Sequence, residues 1–139
     1  MNSARNLRIL VVDDEAEIRT LIAEILNHDG FEIREAGSAA EAVRILEVFA
    51  PSLLITDYSL PDANGSELIE KAKGMLPNIK CLMITGWREL PGQLASPTLA
   101  DVIVGKPFSV TTFEVETRRL LSDTPGEAAL VPSVAREAC

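Results

Sequence analysis

Five side chains in this sequence could share one reaction, and each lies at or just beyond the end of an apolar run. Asp13 and Asp14 follow residues 7–12, Asp57 follows 53–56, Thr85 follows 79–84, and Lys106 comes two residues after 101–104. Three carboxylates gathered in one crevice repel, and burial raises some of their pKa values. A hard divalent cation removes that conflict. Mg2+ takes a few carboxylate oxygens, a carbonyl and several waters, which suits this oxygen-only set. No His or Cys stands at the strand ends to favour zinc or another transition metal. Such a cation could bridge to a phosphoryl oxygen and leave one carboxylate free as nucleophile. Aspartyl phosphates form by in-line attack of this kind, with charge stabilised by metal and lysine. Thr85 offers a hydroxyl to the phosphoryl group and Lys106 a positive charge.

The elements that must position these groups are readable from apolar spacing. Leu53-Leu54-Ile55-Thr56-Asp57 is an apolar run ending on one carboxylate and broken at Pro61, the pattern of a fully buried strand. Open α/β sheets place their chemistry at such carboxyl ends. Residues 7–12 form a first strand. Ile18, Leu21, Ile22, Ile25 and Leu26 then repeat at helical spacing, with Gly30 as a stop. Residues 31–36 alternate like a half-buried strand. Ser38-Ala39-Ala40-Glu41 is a capping box opening a helix with Ala42, Val43, Leu46 and Phe49 inward. Asn64 and Gly65 start a third helix carrying Leu68, Ile69, Ala72 and Met75, stopped near Pro77. Residues 79–84 and 101–104 are the fourth and fifth strands. Between them Pro91, Gly92 and Pro97 leave room only for a short or bent fourth helix. Ser109 can cap a final helix carrying Val110, Phe113, Leu120 and Leu121. Alternation of this kind implies a parallel sheet covered by helices on both faces.

Composition bounds the rest. A chain of 139 residues, 47% hydrophobic and 24% charged, is about one soluble domain. With 4% aromatic residues, the core must be built mainly of Leu, Ile, Val and Ala. The net charge of −8 argues against nucleic acid or an anionic membrane surface as partner. No run reaches the ~20 apolar residues of a membrane span, and no signal-peptide pattern opens the chain. Cys81 sits in an apolar run and Cys139 ends a polar tail, so two free thiols and a cytoplasmic location are expected. Residues 1–5 read as a flexible N-terminus, 6–122 as the domain and 123–139 as a C-terminal tail.

Val11-Val12-Asp13-Asp14-Glu15, Asp57 with the following Leu60-Pro61-Asp62-Ala63-Asn64-Gly65, Thr85-Gly86 and Lys106-Pro107-Phe108 together resemble the receiver domain of two-component response regulators. The likeness covers about residues 6–122. It implies a flavodoxin-like sheet of order 2-1-3-4-5, with the crevice between the first and third strands. By that resemblance Asp57 is the phospho-acceptor, fed by a histidine kinase or phosphotransfer protein. Asp14, Asp57 and the backbone carbonyl of Ser59 hold Mg2+, and Asp13 holds it through water. Thr85 is the switch hydroxyl and Lys106 its counter-ion. The peptide before Pro107 is commonly cis in the family. Ser59 and Trp87 occupy positions that tune the lifetime of the phosphoryl group. The domain catalyses its own phosphorylation and slow dephosphorylation, then signals to a downstream protein target. With no output domain after residue 122, a stand-alone receiver is expected, a truncated regulator being the other possibility.

Two residues depart from the family pattern. Ile103 stands where receivers usually carry Tyr or Phe, which removes the ring that swings inward with the threonine. Gly86 follows the threonine where Ala or Ser is common, freeing the backbone there. These features motivate a second reading, a binding module indifferent to phosphorylation. A phosphatase would want an Asp-x-Asp pair, but Asp57-Tyr58-Ser59 stands there; a flavin protein would want a phosphate-cradling loop where Asp13-Asp14-Glu15 stands. Taken singly, the same residues have plainer roles: acids favouring a helix start, a turn aspartate, a loop hydroxyl, a solvated lysine. His28 is assigned no role in phosphoryl transfer. Trp87 is read as packing slightly ahead of partner contact, and Cys81 as core.

Overall fold

The computed structural model describes residues 7–27, 31–86, 99–106 and 108–121. Its elements run β1 (Arg8–Val12), α1 (Ala16–Leu26), β2 (Glu32–Ala36), α2 (Ala39–Phe49), β3 (Leu53–Asp57), α3 (Gly65–Met75), β4 (Lys80–Gly86), β5 (Val102–Lys106) and α4 (Val110–Leu121). The strands are all parallel and ordered β2-β1-β3-β4-β5, the doubly wound order expected. The expected irregular fourth helix, residues 1–5, the 123–139 tail, Gly30, His28, Trp87, Pro107 and Cys139 lie outside the described residues.

Strand periodicity sorts the core into two layers. Ile9, Val11, Leu53, Ile55, Leu82, Ile84, Val102 and Val104 face α1 and α4, meeting Ile22, Leu26, Phe113 and Leu120. Leu10, Val12, Leu54, Cys81 and Met83 face the other way, against Ala42 and Leu46 of α2 and Leu68, Ile69 and Ala72 of α3. β3 is buried along its whole length. Each such Leu or Ile contributes roughly 1.5–3 kcal/mol relative to exposure. That burial fixes the height of Asp57 at the sheet edge, because a slip of one residue would turn Leu54 and Ile55 onto the wrong layers.

Local chemistry sets the helix starts. At α3 the capping box is complete: Asn64 accepts from Glu67 N–H, and Glu67 accepts from Asn64 N–H. At α2 it is half made. Ser38 Oγ accepts the Glu41 N–H at 3.2 Å, but the Glu41 carboxylate takes the N–H of Gly37 at 2.9 Å instead of returning to Ser38. Ser109 caps α4, its Oγ accepting the Thr112 N–H at 3.0 Å.

Several expectations need correction. Leu21 is 42% exposed and Val110 50% exposed, so neither faces the core. Leu21 sits at the edge of the α1 stripe, and Val110 is the first residue of α4. Thr85 and Gly86 belong to β4 itself, and Gly105 and Lys106 to β5, because β4 and β5 stay paired through Thr85↔Gly105 and Gly86↔Lys106. Ile79 precedes β4 and Asp101 precedes β5. Among the described residues no helix is long and apolar enough to cross a membrane.

Candidate functional site

β1 and β3 are neighbours, and the sequence that ends each of them delivers carboxylates to one sheet edge. A cavity of about 270 Å³ opens there, lined by Asp13, Asp14, Glu15, Asp57, Ser59, Gly86 and Lys106. Asp57 is gripped from both sides. Its Oδ1 lies 2.7 Å from Lys106 Nζ, and its Oδ2 accepts the Ser59 N–H at 2.9 Å. Burial works against the Lys106 ammonium, but the hydrogen bond and charge of Asp57, with the charges of Asp13 and Glu15, outweigh it and hold its pKa above the ordinary value. Lys106 is therefore a permanent cation at this edge.

Asp13 is the most deeply placed acid, only 1% exposed, whereas Asp14 and Glu15 reach solvent. Asp13 Oδ1 accepts the Glu15 N–H at 2.8 Å, while Oδ2 is buried with no hydrogen-bond partner among the described residues. Burial first, then the charges of Asp57 and Asp14, push the Asp13 pKa up to about 6, against the pull of the Glu15 N–H and Lys106. A buried anionic oxygen left without a donor is where a cation belongs. The donor set is oxygen only, as Mg2+ prefers. Among the described residues no three carboxylate, imidazole or thiol side chains form a ready cage. A cation held here would draw its remaining ligands from main chain and water, again as Mg2+ does.

The raised pKa makes a prediction. The Asp13 carboxyl titrates near 3.8 when unfolded and near 6 when folded. Between those values the native state binds more protons than the unfolded chain, so metal-free stability falls as pH rises through that window. Asp13→Asn has no charge to bury, and its amide oxygen can keep the Glu15 N–H. It is expected to raise metal-free stability by on the order of 1–3 kcal/mol near neutral pH, and by less at about pH 4.5. Urea melts at the two pH values check this, and equal gains at both would show that charge is not the cause.

Not every expected group lines the cavity. The Thr85 side chain is buried, its hydroxyl donating to the Gly86 carbonyl at 3.0 Å, one residue away from the lining. Gly105 stands opposite it, so no side chain from β5 blocks that row of the sheet. Ile103 is half-buried and packs with the α2–α3 layer. Two residues given no role in the sequence reading bond across elements around the site. Arg19 Nη1 donates to the Asp13 carbonyl at 2.6 Å while its Nε reaches Glu35 at 3.2 Å. Asp62, beyond Pro61, reaches the start of α2. Asp62 belongs to the motif that follows Asp57, but the partners of both residues carry no signal, because both act across elements that only the fold brings together. A larger cavity of about 550 Å³ lies at the far end of the sheet, beside Ser52, Lys73 and Ile79. Its Lys73 is already committed to the Ile79 carbonyl and Asp101, both at 2.9 Å, and no acid cluster accompanies it.

Comparison with known proteins bears on the family and the fold. The profile of the response regulator receiver domain matches residues 9–115. Sporulation initiation phosphotransferase F of Bacillus subtilis is 28% identical over 117 residues, covering 84% of this chain and 94% of that protein. The phosphate regulon transcriptional regulatory protein PhoB of Escherichia coli is 36% identical over 105 residues, covering 73% of this chain and 46% of that protein. The chain likewise spans 50% of a transcriptional regulatory protein of Mycobacterium tuberculosis to which it is 29% identical. Among solved structures, a response regulator receiver domain protein from Clostridium thermocellum superposes with a TM-score of 0.76 at 27% identity, covering 84% of this chain and 94% of that one. A CheY-like receiver domain protein from Methanospirillum hungatei gives 0.73 at 29% identity, covering 88% and 98%. A profile match across most of the chain, and full-length agreement with such domains in sequence and in fold, lead to one conclusion: this chain belongs to the response regulator receiver domains of two-component signalling.

Proposed function

We propose that this chain accepts a phosphoryl group on Asp57 from a phosphohistidine of a histidine kinase or phosphotransfer protein, and that the phosphorylated form changes which protein it binds. The observation that carries the reading is the Asp57 carboxylate at a buried strand's tip, held by Lys106 and the Ser59 N–H beside the orphaned Oδ2 of Asp13. Members of the family generally bind Mg2+. Here Asp14, Asp57 and the Ser59 carbonyl, with Asp13 through water, would hold the ion, which when bound neutralises the acids and draws charge from the phosphoryl oxygens.

The chain's own residues do the rest. A carboxylate oxygen of Asp57 attacks phosphorus in line; the new O–P bond forms as the donor's P–N bond breaks and imidazole leaves. Lys106 loses its carboxylate partner when that oxygen is esterified and turns to a phosphoryl oxygen, keeping its charge compensated. The Thr85 hydroxyl trades the Gly86 carbonyl for the phosphoryl group, and the flexible backbone of Gly86 lets it turn. That step pulls on β4 and β5, and through them on α4. Ile103, an aliphatic residue at the aromatic position, makes this switch independent of a ring flip. The domain so defined, residues 6–122, hydrolyses its own aspartyl phosphate slowly and works as a cytoplasmic signalling module with a protein target, not with nucleic acid or membrane. Trp87 and Ser59 tune the lifetime of the phosphoryl group.

Mass spectrometry after incubation with acetyl phosphate and Mg2+ tests this: one phosphoryl adduct, mapped to Asp57 and absent when Mg2+ is chelated, is expected. The packing of Ile103 favours the second reading, a phosphorylation-independent binding module. A chain that takes no adduct would move the balance to it.

A further inference from the structure

Asp62 leaves the β3–α3 loop and seats itself on a different helix. Its Oδ1 accepts the N–H of Ala39 at 2.9 Å and its Oδ2 that of Ala40 at 3.0 Å, both on the first turn of α2. Ser38 takes the Glu41 N–H of that start, and Asp62 takes the two N–H groups before it from outside the helix. What it tethers is the loop that follows the acceptor. That loop is a tight hairpin: Ser59 bridges antiparallel to Asn64, Leu60 N–H donates to the Ala63 carbonyl at 3.1 Å, and Gly65 N–H donates to the Tyr58 carbonyl at 2.7 Å. At its root the Ser59 N–H holds Asp57 Oδ2; at its tip Asp62 holds α2. The Ala39 and Ala40 N–H groups keep the exposed Asp62 carboxyl below the usual carboxylate range, so the contact is between a carboxylate and the positive end of a helix.

We propose that Asp62 is a positioning residue of the acceptor site: anchored on α2, it fixes the β3–α3 loop so that the Ser59 N–H stays on Asp57 and the Ser59 carbonyl stays where a Mg2+ ligand is needed. The proposal rests on the reading of Asp57 as acceptor. Partners one shell removed from a metal typically change its affinity by 10–100-fold. The loop retains its hairpin bonds without Asp62, so the low end of that range applies.

The test uses the full chain, with amide hydrogen exchange at Ser59 in the absence of metal and a Mg2+ titration followed by amide shifts, in about 0.15 M salt to screen distant charge. Asp62→Ala is expected to speed Ser59 exchange and to weaken Mg2+ binding about tenfold. Asp62→Asn removes the charge and one of the two acceptors but keeps an oxygen for one of the α2 N–H groups, so part of the affinity should return. Ser38→Ala weakens the same helix start without touching the loop and should leave both readouts unchanged. The proposal is overturned by a silent Asp62→Ala, by Asp62→Asn as damaging as Asp62→Ala (charge alone), or by Ser38→Ala as damaging as either (helix stability alone). A wild-type chain with slow Ser59 exchange but no response to Mg2+ would overturn the acceptor reading instead, leaving the tether intact but without a metal to serve.

Discussion

Asp57→Asn is expected to abolish phosphoryl acceptance from acetyl phosphate in the presence of Mg2+ while leaving the chain folded. The amide oxygen can still take the Ser59 N–H, but it is no nucleophile toward phosphorus. Two acids remain at the same edge, and the physical reason neither replaces Asp57 is specific to each. Asp13 is buried and has one oxygen committed to the Glu15 N–H, so it is not presented to an incoming phosphoryl donor. Asp14 is exposed, and no hydrogen bond or ion pair from the described residues orients it. Stability should change by no more than about 1 kcal/mol, because the loss of the Lys106 pair is offset by relief of the repulsion on Asp13. The measurement is intact-mass and peptide mass spectrometry beside a thermal melt. An adduct that reappears on Asp14 at the wild-type rate would mean that the grip of Lys106 and Ser59 does not select the acceptor, and the mechanism above would fail.

The parts of this molecule that were legible beforehand are those that depend on one element at a time. Continuous burial along β1, β3 and β4 follows from their apolar runs, which put Asp13, Asp14 and Asp57 at strand ends; that β1 and β3 are neighbours was implied by the resemblance to receiver domains. Lys106 could be placed because it lies just beyond the apolar residues of β5. What was not legible lies between elements. Arg19 supports the Asp13 carbonyl from α1, and Asp62 crosses from the loop to α2; nothing in the spacing of either residue points to its partner. The turn of the Thr85 hydroxyl toward Gly86 is a rotamer choice, which no pattern encodes. Apolar spacing also overlooks polar residues on an inward stripe. Thr117 lies four residues after Phe113 and three before Leu120, and is fully buried with them, whereas Val110 at the helix start is not. Ala50, which ends α2 in the left-handed region at φ 49°, is likewise invisible, since glycine is the usual signal there.

The second large effect is expected from a residue with no side chain. A Cβ on Gly65 would lie 2.6 Å from the Asp57 carbonyl oxygen, and 3.1 Å from both the Tyr58 Cα and the Met83 sulfur. The first two of these are backbone, and Met83 is fully buried, so nothing nearby can swing aside. The Gly65 N–H meanwhile donates to the Tyr58 carbonyl at 2.7 Å, pinning α3 against the end of β3. Gly65→Ala must therefore push the start of α3 away from the acceptor strand. Overpacking of this kind costs roughly 1–3 kcal/mol, and the gain of replacing glycine in a helix, about 0.5–1 kcal/mol, recovers only part of it. A net loss of about 1–2 kcal/mol is expected, which for a domain of this size lowers Tm by roughly 3–10 °C. Because the displaced atoms belong to Asp57 and Tyr58, the rate of phosphoryl acceptance should fall as well. Gly74 in the same helix is the internal control: a Cβ there meets nothing within 4 Å. Gly74→Ala is expected to stabilise the chain by about 0.5–1 kcal/mol without altering phosphorylation. If both alanines stabilise and both variants accept phosphate at the wild-type rate, the close approach of α3 to the acceptor strand is not a constraint, and the rigidity claimed for the Asp57 edge goes with it.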